Sequence, residues 1–68
     1  MNAYKINLQW RMVSNLDHIT EIIREGGHPS WPGLVSADQI ISITWVEPLH
    51  GYTVVWKVRE WEENNDAI

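Results

Sequence analysis

Apolar and polar residues alternate without a break along YKINLQWRM. Tyr4, Ile6, Leu8, Trp10 and Met12 take one side of an extended chain, and Lys5, Asn7, Gln9 and Arg11 the other. A sustained period of two predicts a half-buried strand over about residues 4–12. The pattern then changes in SNLDHITEIIREGG. Ser14 or Asn15 suits an N-cap, Asp17 falls in the first turn, and Gly26 stands where a helix C-cap glycine belongs. Leu16, Ile19 and Ile23 recur at helical spacing with Ile22 beside them, so an amphipathic helix of about three turns is expected over residues 15–25. Its polar side carries Asp17, His18, Glu21, Arg24 and Glu25.

Two further apolar-alternating runs, QIISITWVE and YTVVWKVREW, flank PLHG and read as a β-hairpin with strands over residues 39–47 and 52–61. With Pro48–Gly51 as the loop, Glu47 faces Tyr52, Trp45 faces Val54, Ile43 faces Trp56 and Ile41 faces Val58. Ser42/Lys57, Thr44/Val55 and Val46/Thr53 then pair on the opposite side. The element order is therefore β–α–β–β. Placing the first strand beside the last makes every neighbouring pair antiparallel, in the order 1-3-2. The expected fold is α+β: a three-stranded antiparallel sheet with one helix on one face. Tyr4, Ile6, Leu8, Trp10, Ile41, Ile43, Trp45, Val54, Trp56 and Val58 are expected to point at the helix. The outer face should be mostly polar, interrupted by Ile40, Val46, Val55 and Trp61. Residues 1–63 make one domain, and residues 64–68 read as a frayed acidic tail.

Size sharpens the problem of where the apolar residues go. A chain of 68 residues buries only about 60% of its unfolded surface, so its core is marginal. With no cysteine and five tryptophans, it must rely on aromatic packing or association rather than on disulfides. The net charge of −4, with Glu60, Glu62, Glu63 and Asp66 crowded near the C-terminal end, would repel phosphate backbones, and nucleic acid is not an expected partner. No run approaches the ~20 apolar residues of a membrane span. The first residues lack the layout of a signal peptide, which makes cytoplasm the expected compartment.

The segment between helix and hairpin, EGGHPSWPGLVSAD, places Trp31 between two prolines. Pro29 extends His28, and Pro32–Gly33 suits the centre of a type II turn. Two readings follow from this loop over residues 26–38. Trp31, Leu34 and Val35 could fold back as a lid on the open end of the core, or Trp31 with His28 could form an exposed contact site. Trp61, at the end of the last strand among Glu60, Glu62 and Glu63, is a second candidate contact.

Catalytic chemistry finds little purchase. His18 and Glu21 share a helix face, but His28 and His50 lie at no ligand spacing, and no metal site is expected. Glu47 and Glu60 fall at opposite ends of the sheet, no glycine-rich loop follows a strand, and no nucleophile elbow is present. An enzyme is not expected, and no cofactor is assigned.

In length and β–α–β–β order the chain is similar to the dodecins, small proteins that assemble into hollow shells and stack flavins on tryptophan. The resemblance is one of topology. The Pro/Trp loop stands where that family has a tight link, so neither its ligand nor its assembly is carried over. The function expected from the residues is a small acidic, non-catalytic protein-binding module that forms a homo-oligomer. Its contact residues would be His28, Trp31, Leu34, Trp61, Glu62 and Glu63. Such a module suits an inhibitor or regulator of phage or mobile-element type, since acidic surfaces can imitate nucleic acid. The alternative is an oligomer that binds a planar nucleotide- or flavin-like molecule by stacking on Trp31 and His28.

Overall fold

A computed structural model describes residues 3–62 in backbone and 5–60 in side chain. It comprises β1 (Ala3–Val13), α1 (Asp17–Arg24), β2 (Ile40–Val46) and β3 (Gly51–Glu62), with 3-10 turns at Ala37–Gln39 and Glu47–Leu49. The sheet order is β1-β3-β2 with both pairs antiparallel, the small α+β arrangement implied by the sequence pattern. No helix among the described residues is long and apolar enough to cross a membrane. The segment 64–68 lies outside the described residues.

The helix is shorter than its pattern predicts, at 8 residues, because its first turn is drawn into a tight cap. Asp17 N–H donates to Asn15 Oδ1 at 2.9 Å, while His18 and Ile19 donate to the carbonyls of Asn15 and Leu16. At the other end Gly27 N–H donates to Ile22 and Gly26 N–H to Ile23, with Gly26 at φ 87°. This is the double bond of a Schellman cap, which requires a left-handed residue at its turn. Ile19 and Ile22 are buried, with Leu16 and Ile23 partly so, which centres the apolar stripe one position away from its expected line.

The hairpin register differs by two residues from expectation. Trp45 faces Tyr52, Ile43 faces Val54 and Val46 faces Gly51, and a bulge between Ile40 and Ser42 sets Ile40 against Trp56. The cause lies in the connection. Glu47–Leu49 forms a 3-10 turn closed by His50 N–H to Glu47 O at 3.1 Å, and His50 takes the left-handed conformation at φ 50°. Gly51 thereby enters the strand, where an added Cβ would stand 3.3 Å from Val13 O. A slip of two preserves the faces, so Ile43 and Trp45 still share a side with Val54 and Trp56.

The faces of β1 are the reverse of those expected. Its register with β3 pairs Gln9 with Trp56, Arg11 with Val54 and Val13 with Tyr52, whereas Ile6, Leu8, Trp10 and Met12 lie opposite Arg59, Lys57, Val55 and Thr53. Cross-strand partners share a face, so the apolar row of β1 points away from the helix. Val13 supplies a physical reason. It packs against the core only four residues before α1 begins at Asp17, and once Val13 faces inward the pleat turns Met12, Trp10, Leu8 and Ile6 outward.

The core consists of Ile19, Ile22, Trp31, Leu34, Val54 and Trp56, flanked by Val13, Leu16, Ile23, Ile40 and Val58. The Trp31–Pro32–Gly33–Leu34 turn is closed by Leu34 N–H to Trp31 O at 3.2 Å and has Gly33 at φ 74°, as its sequence implies. A Cβ on Gly33 would stand 2.7 Å from Val58 Cγ1. Gly33→Ala should therefore combine about 1–2 kcal/mol of left-handed strain with a clash against a core-flanking side chain. Urea denaturation should show a loss of at least ~2 kcal/mol, and an unchanged midpoint would refute this account of the turn.

Candidate functional site

The loop that reads as either a lid or a contact is a lid through Trp31 and Leu34, while Val35, expected to fold back with them, stays 54% exposed. Trp31 is 2% exposed and stacks on Trp56 with ring centroids 5.1 Å apart and planes inclined by 28°. Trp56 Nε1–H donates to Pro32 O at 2.8 Å, so Trp56 holds the loop twice, by packing on Trp31 and by a hydrogen bond to the next residue. Leu34 is fully buried. Trp31 and Leu34 are thus corrected from contact residues to core residues, because the short helix leaves the end of the sheet for the loop to close. His28 remains exposed. Its Nδ1 accepts from Ser30 N–H at 3.0 Å, and its ring lies 6.3 Å from His18, which meets Trp31 edge-on at 6.2 Å. At this burial Trp31 has no open ring face for a planar ligand to stack on. The side chains of Trp61 and Glu62, and the whole of Glu63, lie outside the described residues.

Gln39 organises the lid, a role that the sequence pattern did not single out. Its Oε1 accepts from Val35 N–H and Ser36 N–H at 2.8 and 2.9 Å. Its Nε2 donates to Gly33 O at 2.6 Å and to Lys57 O at 3.0 Å. One side chain thereby ties the C-terminal half of the loop, from Gly33 to Ser36, to the central strand. The Ser36–Gln39 capping box is the local signal that could have identified it, through serine followed three residues later by glutamine.

The candidate site is the face of the sheet opposite the helix. Ile6 is 53%, Leu8 62% and Trp10 68% exposed, in a continuous row on β1. Met12, Val46 and Val55 are half-buried beside them. Among the described residues Trp10 makes no ring contact and its Nε1–H no hydrogen bond. Trp45, also exposed, contrasts with it on the helix side: it donates to Glu47 Oε2 at 2.5 Å and meets Tyr52 edge-on at 5.0 Å. At one end the outer face runs into a groove of about 360 Å³ lined by Ile6, Asp38, Gln39, Lys57 and Arg59. At the other end a hollow of about 350 Å³ lies among Met12, Val13, Ser14, Leu49, His50 and Gly51.

By the observed pairing, the outer rows of the described residues are Ile6, Leu8, Trp10 and Met12 on β1, Thr53, Val55, Lys57 and Arg59 on β3, and Ser42, Thr44 and Val46 on β2. No carboxylate falls in these rows, although the chain has nine acidic residues. Depletion of Asp and Glu around an apolar and aromatic centre is a compositional mark of interfaces, and here only the cations Lys57 and Arg59 share the face. Among the described residues no three or more His, Asp or Glu groups converge on a metal position. Comparisons of the chain with protein families, with curated proteins and with solved structures return no match.

The placement of Trp31 has a direct test. Trp31→Ala should cost about 3–5 kcal/mol of folding stability, read by chemical denaturation, and the near-UV circular dichroism of the Trp31–Trp56 pair should vanish. A variant as stable as the parent would mean that Trp31 is not core.

Proposed function

We propose that the chain is a non-catalytic protein-binding module that forms a homo-oligomer and makes contact through the outer face of its sheet. The exposed row Ile6–Leu8–Trp10 carries this reading. Large apolar side chains that stay in water forgo about 1.5–3 kcal/mol each. Three in one row, with Met12, Val46 and Val55 beside them, form a patch of the kind that marks association. The contact surface thus moves from the lid residues to β1. A regulatory or inhibitory role fits a module that would act by covering another protein's surface.

Trp10 beside Lys57 also resembles the stacking surfaces of RNA-binding sheets. The row favours protein instead, because Ile6 and Leu8 are aliphatic and present no π-face to a base. The net charge of −4 opposes phosphate as well.

Native mass spectrometry on protein purified gently from its host provides the test. The expected result is a defined assembly, either of this chain alone or with another protein, that disappears in Leu8→Glu while the fold persists. Assemblies unchanged by Leu8→Glu, or none at all in the parent, would remove the reading.

A further inference from the structure

We infer that the occupant of the outer face is a second copy of this chain, packed face to face about a twofold axis; this rests on the protein-binding reading above and names its partner. The apolar row is exposed in the folded chain itself and not behind a lid, so whatever covers it must be present whenever the chain is folded. Another copy is always present at the same concentration. A domain with six buried apolar residues among those described also has much to gain from a permanent partner.

Geometry favours face packing over edge pairing. A β1–β1 edge contact would satisfy unpaired backbone groups along 11 residues, yet it would leave Ile6, Leu8 and Trp10 in water. Stacking the outer faces covers all three, with the two sheets about 10 Å apart and their rows interdigitated. A twofold axis between the sheets and perpendicular to the strands at Trp10 lays the whole outer face of one copy over the same face of its partner, β1 on β1 and β3 on β3 with strands antiparallel. Lys57 lies opposite Leu8, two residues from Trp10, so the Lys57 positions of the two copies stand about 14 Å apart along the strands.

Charge distribution points the same way. Two chains of net charge −4 repel most wherever carboxylates face one another. Asp17, Glu21 and Glu25 lie on the helix, Glu47 at the hairpin turn, and Glu60 opposite Lys5 on the helix side of the sheet. Among the described residues the outer rows hold no carboxylate, and Asp38 stands only at the rim of the groove. Self-association through this face therefore avoids the repulsion that every other face would meet.

The area is of the right order. Eleven paired positions on β1 and β3 with β2 alongside give a face of roughly 450 Å² in projection, from ~3.4 Å rise and ~4.8 Å strand spacing. Upright side chains add to this, against about 800 Å² per partner in a standard interface. The dimer belongs at the small end of stable complexes, with a dissociation constant on the order of micromolar.

Sedimentation velocity on the purified full chain, from about 1 to 100 µM, decides the matter. The parent should pass from 8.0 kDa to twice that mass across this range. Leu8→Glu should weaken association at least ~100-fold and sediment as monomer. Val35→Glu, which alters a side chain 54% exposed on the lid, should dimerise as the parent does. Near-UV circular dichroism of the Trp31–Trp56 pair reports that each variant is folded. A parent that is monomeric throughout, a dimer indifferent to Leu8→Glu, or equal loss in Val35→Glu would each overturn the inference. A monomeric parent that still holds a different protein through Leu8 would reject the second copy and keep the protein-binding reading. A monomer whose Trp10 emission is quenched by a single-stranded oligonucleotide, and unchanged in Trp10→Phe, would reject both.

Discussion

The Trp31–Trp56 pair is the contact on which the rest of the fold depends. Two buried indoles remove about 300–500 Å² from water, a gross gain of roughly 8–12 kcal/mol. A domain of this length has a net stability of only about 3–10 kcal/mol. One stacked pair is thus comparable to the whole surplus of folding. Everything around it fixes its position: Pro32 accepts from Trp56, Gly33 lets the loop approach Val58, and Gln39 fastens the loop to the Lys57 carbonyl. The loop is ordered because it completes the core from a direction that the eight-residue helix does not reach.

Closure of the core by helix and lid also explains why β1 can turn its apolar row away. The helix side of β3 is filled by Ile19, Ile22, Trp31 and Leu34. Beneath them β1 contributes Val13 and the half-buried amides Asn7 and Gln9. Ile6, Leu8 and Trp10 would need space that the lid already occupies. Adding volume to a packed interior forces side chains off their rotamers at a cost of about 1–3 kcal/mol. The lid and the outer row are therefore complementary consequences of one limited volume.

Local chemistry made much of this architecture legible in the sequence. The alternation of β1, the Gly26 cap, the Pro32–Gly33 turn and the antiparallel order all follow from period and backbone preference, each decided within a few residues. Side assignment was not legible in the same way. Alternation in β1 states that two rows differ but not which row meets the helix, and the deciding residue, Val13, lies at the end of the run where the pattern lapses. The hairpin was read correctly in its faces from Ser42 onward but not in its register, since either four-residue loop keeps the same parity; at its start the bulge turns Ile40 to the core and leaves Ile41 exposed, the reverse of the alternation. His50 adopts the left-handed turn that Gly51 would take at less strain, and nothing in the alternation reveals it. Trp31 could be read both ways because a tryptophan between prolines fits a lid and a contact equally well; burial distinguishes them.

The central strand links the two sides of the molecule. Val54 and Trp56 enter the core, while Val55, Lys57 and Arg59 fall in the outer rows, so every second residue of β3 serves a different surface. The lid is fastened to this strand by its backbone, through Lys57 O, and not by any side chain of the outer face. Substitutions on the outer rows of β1 can therefore change the open face without loosening the Trp31–Trp56 stack, whereas lid substitutions act on folding first. This separation follows from the pleat of a sheet with one filled face and one open face. It accounts for how so small a chain can hold Trp31 and Trp56 in its core while leaving Trp10 on the open face.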